Sequence, residues 1–484
     1  MQQFKVLITG YEAAPFYKRG GLGDVMESLP KALVSIGIEA RVVIPYYNDI
    51  KDKYHFKKEG EFTVVFDNHT ENVGIFSTNV SSKSLGKSAN VPFYFLENRN
   101  YLSLSKAKDK SKRMRQFVFF DLAIIKFIHW LGEHHRWSVN IIHCNDWHTA
   151  LIPLILNKMK LKISTILTIH NLLYQGIGSL KVLDLLGIED QETKVLKRGV
   201  PASEMNVLGE GIIHATRVST VSPSYAKEIA QTEHDHNPIS PFLVKRERSK
   251  LRKGGKIIGI LNGIDYDIWN PATDELLFHK YDISNWAAGK KDNKDDLLKS
   301  LGLEDRPTFC FVGRMANQKG LDILIKAINR ISHLNINVII LGSGDPRIER
   351  SVLNIAKKFP WVKAELVYNE DLAHKIYAGS DFIVIPSRYE PCGLIQMVAM
   401  KYGTIPIASN TGGLKDSILN GKDGFLFKKN STRALSKTIK KALRIYRERN
   451  RYIKMVERAM KKDFSWDKSA KEYLGLYEKL IIGS

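Results

Sequence analysis

The chain has 484 residues, 44% of them hydrophobic, 26% charged and 10% aromatic, a globular balance that excludes disorder, collagen-like repeats and a disulfide scaffold. Its three cysteines, Cys144, Cys310 and Cys392, form no CxxC pair, which leaves neither a disulfide framework nor a structural zinc site. The net charge of +22 admits polyanionic partners, yet the basic clusters at 106–115, 245–256 and 437–462 lie far apart in sequence, and no aromatic residue interleaves the first of them.

The expectation is therefore a solvated, lysine-rich surface with no nucleic-acid partner and no membrane partner. Residues 118–131 are interrupted by Asp121 and Lys126, so no apolar stretch reaches the ~18 residues of a membrane span. Residues 1–10 run straight into a strand without the pattern of a leader, and a cytoplasmic enzyme is expected.

Strands are predicted at 5–10, 40–46, 140–145, 164–171 and 217–222, then at 256–263, 308–313, 337–342, 364–368, 381–386, 404–409 and 424–427, with helical patterns between them. Their near-continuous Val/Ile/Leu content marks strands buried on both faces of a parallel sheet. Strands alternating with helices give a doubly wound α/β fold. Two such sets predict two Rossmann-like domains, residues 1–255 completed by a C-terminal helix 466–484, and residues 256–465. The hinge is expected in the charged segment 245–263 around Gly254-Gly255. The pattern 469–482 places Tyr473, Leu476, Tyr477 and Leu480 on one apolar face.

Lys18-Arg19-Gly20-Gly21-Leu22-Gly23-Asp24 follows the first strand and opens a helix that Pro30 is expected to kink or end. Glycines at such a junction let a phosphate approach backbone N–H groups, and Lys18 adds a positive charge; the P-loop pattern is absent. Two later strands end in His143-Cys144-Asn145-Asp146-Trp147-His148 and Thr168-Ile169-His170-Asn171, without the HExxH spacing of a metal site. Asp146 with Trp147 suits a sugar, hydrogen-bonded at its edge and covered on its face. His170 is placed to donate to a sugar hydroxyl or to serve as a core histidine.

In the second half, the strand at 308–313 ends in Gly313-Arg314, with Lys319 five residues later. Two cations at the carboxyl end of a parallel strand are placed to stabilise a leaving diphosphate. Ser387-Arg388-Tyr389-Glu390-Pro391-Cys392-Gly393-Leu394 follows the next such strand. Pro391 holds Glu390 extended, Gly393 permits close backbone approach, and the carboxylate is suited to sugar hydroxyls or an oxocarbenium-like centre. Asn410-Thr411-Gly412-Gly413-Leu414 offers backbone N–H groups after the strand at 404–409. Asp265-Tyr266-Asp267, Gly342-Ser343-Gly344 and His234-Asp235-His236 are too short or wrongly spaced to imply a metal or dinucleotide.

Taken together, these motifs closely resemble bacterial-type glycogen and starch synthases. The matching stretches, 18–25, 143–151, 168–176, 221–225, 261–269, 313–321, 386–396, 411–416 and 464–477, run in family order along nearly the whole chain. The resemblance implies a GT-B fold with the active site in a deep cleft between two Rossmann-like domains. It implies retaining transfer of glucose from ADP-glucose to the non-reducing end of an α-1,4-glucan, with no metal or other cofactor.

Carried over by position, Lys18, Gly20 and Gly21 contact the nucleotide sugar, and Arg314 and Lys319 hold the diphosphate. Glu390 faces the glucosyl unit, with the backbone of Cys392, Gly393 and Leu394 and the turn Thr411, Gly412, Gly413 beside it. His170 and Asn262 contact the transferred glucose, while Asp146, Trp147 and Asp24 lie on the acceptor side. The His170 carbonyl is the family's candidate for front-face retention. Gly209 stands where the family carries Lys, and 98–115 lacks the Arg-Pro-Gly…Tyr acceptor loop, matching its start only at Asn98 and Tyr101. The alternatives are a UDP-glucose donor, another acceptor, or a glucan-binding protein without catalysis. The charge set Lys18, Arg314, Lys319 and Glu390 argues against the last.

Overall fold

A computed structural model describes residues 4–82, 89–105, 109–187, 203–231, 255–367 and 369–482. It divides into two compact units, Met1–Asn262 with Trp466–Ser484, and Gly263–Ser465. The tract 234–236, the basic tract 245–253 and Gly254 lie outside the described residues.

The first unit contains β1 (Lys5–Thr9), β2 (Glu39–Pro45), β3 (Lys57–Phe66), β4 (His69–Ser82), β5 (Ala89–Glu97), β6 (Ile141–Asn145), β7 (Ser164–Ile169), β8 (Ile177–Ser179), β9 (Glu204–Asn206), β10 (Arg217–Thr220) and β11 (Ile258–Gly259). Nine of them form one sheet ordered β11-β10-β7-β6-β1-β2-β5-β4-β3, and β8 pairs with β9 as a separate ribbon. From β11 to β5 the sheet is parallel, and β4 runs antiparallel to both β5 and β3.

Strands β3 and β4 are absent from the prediction, because antiparallel ribbon strands alternate polar and apolar residues; β5, which runs parallel to β2, and the short β8 and β9 are absent from it as well. The turn between β3 and β4 is Asp67-Asn68, both with positive φ (54° and 63°), between the paired Phe66 and His69. That is the two-residue turn chemistry that marks a hairpin.

Two further expectations are corrected. The segment expected to open the second domain forms β11, which pairs in parallel with β10 through Ser219 and Ile258, so the chain as far as Asn262 belongs to the first unit. The first helix runs Gly21–Ser35 straight past Pro30. Burial of Met26, Leu29 and Leu33 on its inner face offsets the one hydrogen bond that Pro removes. The last helix, Trp466–Ile482, joins the first unit, where Tyr473, Leu476, Tyr477 and Leu480 share a core with Val6, Ile8 and Val42.

His143 lies in that packing, fully buried, with Nδ1 2.9 Å from the Tyr477 hydroxyl and Nε2 2.6 Å from the Thr168 hydroxyl. Burial pushes its pKa down from 6.5 to about 3. The unfolded chain takes up a proton near 6.5 that the folded chain refuses, so this residue's contribution to stability falls as pH drops through that window. Between about pH 7 and about pH 5 it should cost about 2 kcal/mol. Urea unfolding at both pH values should show a flatter acid limb for His143→Gln, and an unchanged limb would refute the assignment.

The second unit contains β12 (Thr308–Val312), β13 (Asn337–Leu341), β14 (Val362–Glu365), β15 (Phe382–Ile385), β16 (Ile405–Ser409) and β17 (Phe425–Phe427). They form an all-parallel sheet ordered β14-β13-β12-β15-β16-β17. Its central strands are buried along their whole length, as their unbroken apolar content requires.

Candidate active site

The parallel part of each sheet reverses its strand order once, at β1 against β6 in the first unit and at β12 against β15 in the second. In open α/β sheets, ligands bind beyond the carboxyl ends of the strands at such a switch point. The segments that leave these four strands carry most of the sequence candidates.

In the first unit, β1 runs on into Tyr11-Glu12. The buried Glu12 carboxylate folds back on the glycine turn, where Oε2 accepts the backbone N–H of Arg19 and that of Gly20 at 3.2 Å. Its Oε1 is buried with no hydrogen-bond partner among the described residues. Burial raises its pKa from 4.5 to about 7 against the pull of these N–H groups. Gly20 caps the helix that Gly21 begins. Lys18 Nζ lies 2.7 Å from Asp24 Oδ1 one turn into that helix, so the expected nucleotide and acceptor residues form one ion pair. Glu12 was missed by the sequence reading, although an acid directly after a buried strand is a visible signal.

At the end of β6, Asp146 adopts a positive φ of 57° and is buried. Its Oδ1 accepts the backbone N–H of His170 at 2.7 Å and of Asn171 at 3.4 Å, so its carboxylate shapes the chain leaving β7. Burial raises its pKa to about 7. His170 Nε2 lies 2.8 Å from Asn145 Oδ1. The Asn145 amide is itself oriented by donating to the Thr9 and His143 carbonyls, so its oxygen faces His170 and Nε2 carries the hydrogen.

Desolvation lowers the His170 pKa to about 3. The neutral ring then presents Nδ1 as an acceptor, which reverses the expected donation to a sugar hydroxyl. Trp147 is buried rather than an open platform. A Cβ on Gly176 would overlap its ring, and Phe117 meets it edge-on at 5.1 Å. His148 is also buried, stacked on Tyr11 at 3.7 Å. Asn262 is buried with Oδ1 unpartnered among the described residues.

The backbone is hydrogen-bonded locally at both departures from the family pattern. The Gly209 N–H is capped by Asn206 Oδ1 at 3.0 Å. Asn98 Oδ1 accepts the N–H groups of Asn100 and Tyr101 at 3.0 and 2.9 Å, organising the turn after β5.

In the second unit, Glu390 is buried after β15, and its Oε2 lies 2.7 Å from Lys319 Nζ and 2.8 Å from the Ser387 hydroxyl. The segments carrying Lys319 and Glu390 are also tied through their backbones. The Arg388 N–H donates to the Gln318 carbonyl at 2.8 Å, and the Gln318 side chain donates to the Tyr389 carbonyl at 3.2 Å. The turn Thr411, Gly412, Gly413 then packs backbone to backbone against this segment.

The Gly413 N–H donates to the Glu390 carbonyl at 3.0 Å. A Cβ on Gly412 would overlap that carbonyl oxygen, and one on Gly413 the Cys392 carbonyl oxygen. Thr411 and Gly413 therefore spend N–H groups inside the protein, on Ser409 and Glu390, rather than offering both outward. Cys392 is a buried thiol, Gly393 has φ 72°, and Leu394 caps the helix Ile395–Lys401. Arg314 is exposed on the segment leaving β12. Among the described residues no group of three or more His, Cys, Asp or Glu side chains is placed to hold a metal ion.

Two doubly wound units, each with charged and glycine-rich segments at its switch point, define the GT-B class of glycosyltransferases. Residues 5–243 match the starch synthase catalytic domain family and residues 293–459 match glycosyl transferases group 1. The chain is 38% identical to the glycogen synthase of Caldicellulosiruptor bescii over 99% of each chain. It is 37% identical to that of Clostridium novyi, over 98% of this chain and 99% of the relative. Its structure superposes with a TM-score of 0.88 on the catalytic domain of starch synthase IV from Arabidopsis thaliana bound to ADP and acarbose, at 31% identity over 99% of this chain and 100% of that one. A TM-score of 0.64 at 18% identity to sucrose-phosphate synthase from Thermosynechococcus elongatus shows a common fold. The chain belongs to the glycogen and starch synthase family.

Proposed function

We propose that the protein transfers glucose from ADP-glucose to the non-reducing end of an α-1,4-glucan with retention at the anomeric carbon. The observation that carries this reading is the pairing of Lys319 with the buried Glu390 carboxylate, seated on a glycine turn at the switch point of a chain that matches glycogen synthases from end to end.

In this reading the bond between the anomeric carbon and the diphosphate oxygen breaks, and its electron pair leaves with ADP. Arg314 and Lys319 neutralise the charge that develops on the leaving group, and Lys18 with the Gly20-Gly21 turn contacts the nucleotide sugar. Glu390 faces the glucosyl unit, held in place by Lys319 and Ser387, while the backbone of Cys392, Gly393 and Leu394 and the turn Thr411, Gly412, Gly413 seat sugar and phosphate. His170, neutral throughout the working pH range, accepts from a glucose hydroxyl through Nδ1 while its carbonyl faces the electron-poor anomeric carbon. Asn262 contacts the same glucose.

Asp146 and Trp147 serve the acceptor side by shaping the chain from His170 to Gly176, and Asp24 acts through Lys18. The acceptor hydroxyl attacks the face that the diphosphate leaves and passes its proton to the departing phosphate oxygen. The test is nucleoside-diphosphate release from ADP-glucose and from UDP-glucose, with and without glycogen, in chelator. Release of ADP that depends on glycogen supports the reading; release that ignores glycogen, or none from either donor, overturns it.

Glu12 enters through the turn that it anchors. Glu12→Ala removes the acceptor for two N–H groups, and KM for ADP-glucose should rise by about 10-fold or more, with a smaller change in kcat. Glu12→Gln keeps an oxygen at the same place and should restore most of the loss. Equal KM in all three proteins would remove Glu12 from the site.

A further inference from the structure

More than half of the formal net charge of +22 falls in one tract of the sequence. Between Lys428 and Lys462 the sequence holds 14 Lys or Arg against two Glu, a formal +12 in 35 residues. Most of this tract forms two consecutive helices, Thr432–Arg447 and Arg449–Met460. Every exposed side chain of the first is a cation: Arg433, Lys437, Lys440, Lys441, Arg444 and Arg447. They recur at 4, 7, 8, 11 and 14 residues from the first, which places them along one solvent face, while Leu435, Ile439, Ala442 and Leu443 are buried. Glu448, at the end of this row, already meets Arg444 at 3.9 Å and Arg451 at 2.5 Å.

The cationic surface extends sideways. Helix Leu321–Arg330 packs beside Thr432–Arg447, and helix Pro346–Lys358 packs beside Leu321–Arg330, so the three form one layer. Their solvent sides add Lys326 and Arg330, then Arg350, Lys357 and Lys358. The carboxylates on these two helices are engaged: Asp322 with the Arg388 guanidinium at 2.8 Å, and Glu349 with the Gly344 N–H at 2.7 Å. None of the three helices exposes an aromatic ring.

A single nucleic-acid strand is held by base stacking on aromatic side chains, which this face lacks. A duplex is a cylinder and meets a flat layer along one line, leaving the outer cations unmatched. A planar lattice of phosphates matches the whole array. We propose that this three-helix layer docks the protein on the surface of a bilayer rich in acidic phospholipid, by adsorption without insertion. The proposal is independent of the glucosyl-transfer reading and replaces the expectation of a solvated, lysine-rich surface with no membrane partner.

The test is sedimentation of the full chain with vesicles of phosphatidylcholine alone and of phosphatidylcholine mixed with phosphatidylglycerol, at low and at high salt. Binding is expected only to the mixed vesicles and should be lost at high salt. A cation near an anionic bilayer is worth about fivefold in partitioning, so Lys437→Gln/Lys440→Gln/Lys441→Gln/Arg444→Gln should bind roughly 100-fold more weakly or worse. These side chains are remote in role from transfer, so the variant should glucosylate soluble glycogen at the wild-type rate, which certifies its folding. Should it not fold, Arg350→Gln/Lys357→Gln on the neighbouring helix provides the same readout, with a loss of roughly 10-fold or more. Equal binding to both vesicle types, binding insensitive to salt, or undiminished binding by the folded variants would overturn the proposal. So would tighter binding to an oligonucleotide than to the mixed vesicles at the same salt.

Discussion

Glu390→Gln is expected to lower kcat by about three orders of magnitude while ADP binding changes by less than about 10-fold. The substitution keeps the shape of a side chain held by the Ser387 hydroxyl and Lys319 and removes only its charge. The negative charge is needed most when the glucosyl unit carries positive charge, that is, in the transition state. The loss should therefore fall on turnover rather than on ground-state binding. Steady-state rates with glycogen, set beside ADP affinity from calorimetry, separate the two effects. A variant within about threefold of wild type would remove Glu390 from the chemistry.

Lys319→Ala should cost about 3 kcal/mol of transition-state stabilisation, roughly 100-fold in kcat, because a fixed cation is taken from the departing diphosphate. It should also destabilise the second unit, since Glu390 is buried and loses the ammonium 2.7 Å from its Oε2. Removing one partner of a buried pair costs about 3 kcal/mol. Lys319→Ala/Glu390→Gln should recover much of that stability and none of the activity, because the double variant strands no charge. Denaturant unfolding and turnover measured on the three variants test both halves. If Lys319→Ala turned over at the wild-type rate, the diphosphate role would be wrong; if the double variant were no more stable than Lys319→Ala, the ion pair would carry no weight.

The parallel strands were legible because burial on both faces leaves a run of Val, Ile and Leu with no polar interruption, as in β12, Thr308–Val312, and β13, Asn337–Leu341. Strands β3 and β4 were not, since their residues alternate as a ribbon does, and the Asp67-Asn68 turn between them is only two residues long. At the site, residue types and their places after strands were legible, but partners were not. Lys319 and Glu390 are 71 residues apart, and a list of motifs does not show that one neutralises the other. Likewise Lys18 and Asp24 were read as serving different substrates and form one ion pair. The sequence offers Gly412 and Gly413 as backbone N–H donors, and the structure shows that they are glycine because carbonyl oxygens of Glu390 and Cys392 occupy the space of a Cβ.

What the sequence determined by itself is local and periodic: which segments are buried strands, where glycine and charge stand at strand ends, and, through the order of those motifs, the family. What only the tertiary structure decided is pairwise and long-range. It set the direction of the His170 ring through Asn145, the anchoring of the glycine turn by Glu12, and the contact of Tyr477 on the last helix with His143. It also turned a basic tract into a cationic face, by burying Leu435 and Ile439 of the helix and leaving only Lys and Arg exposed to solvent. The physical reason is common to all of these: periodicity is written along the chain, whereas a hydrogen bond, an ion pair or a charged surface depends on residues that only the folded chain brings together.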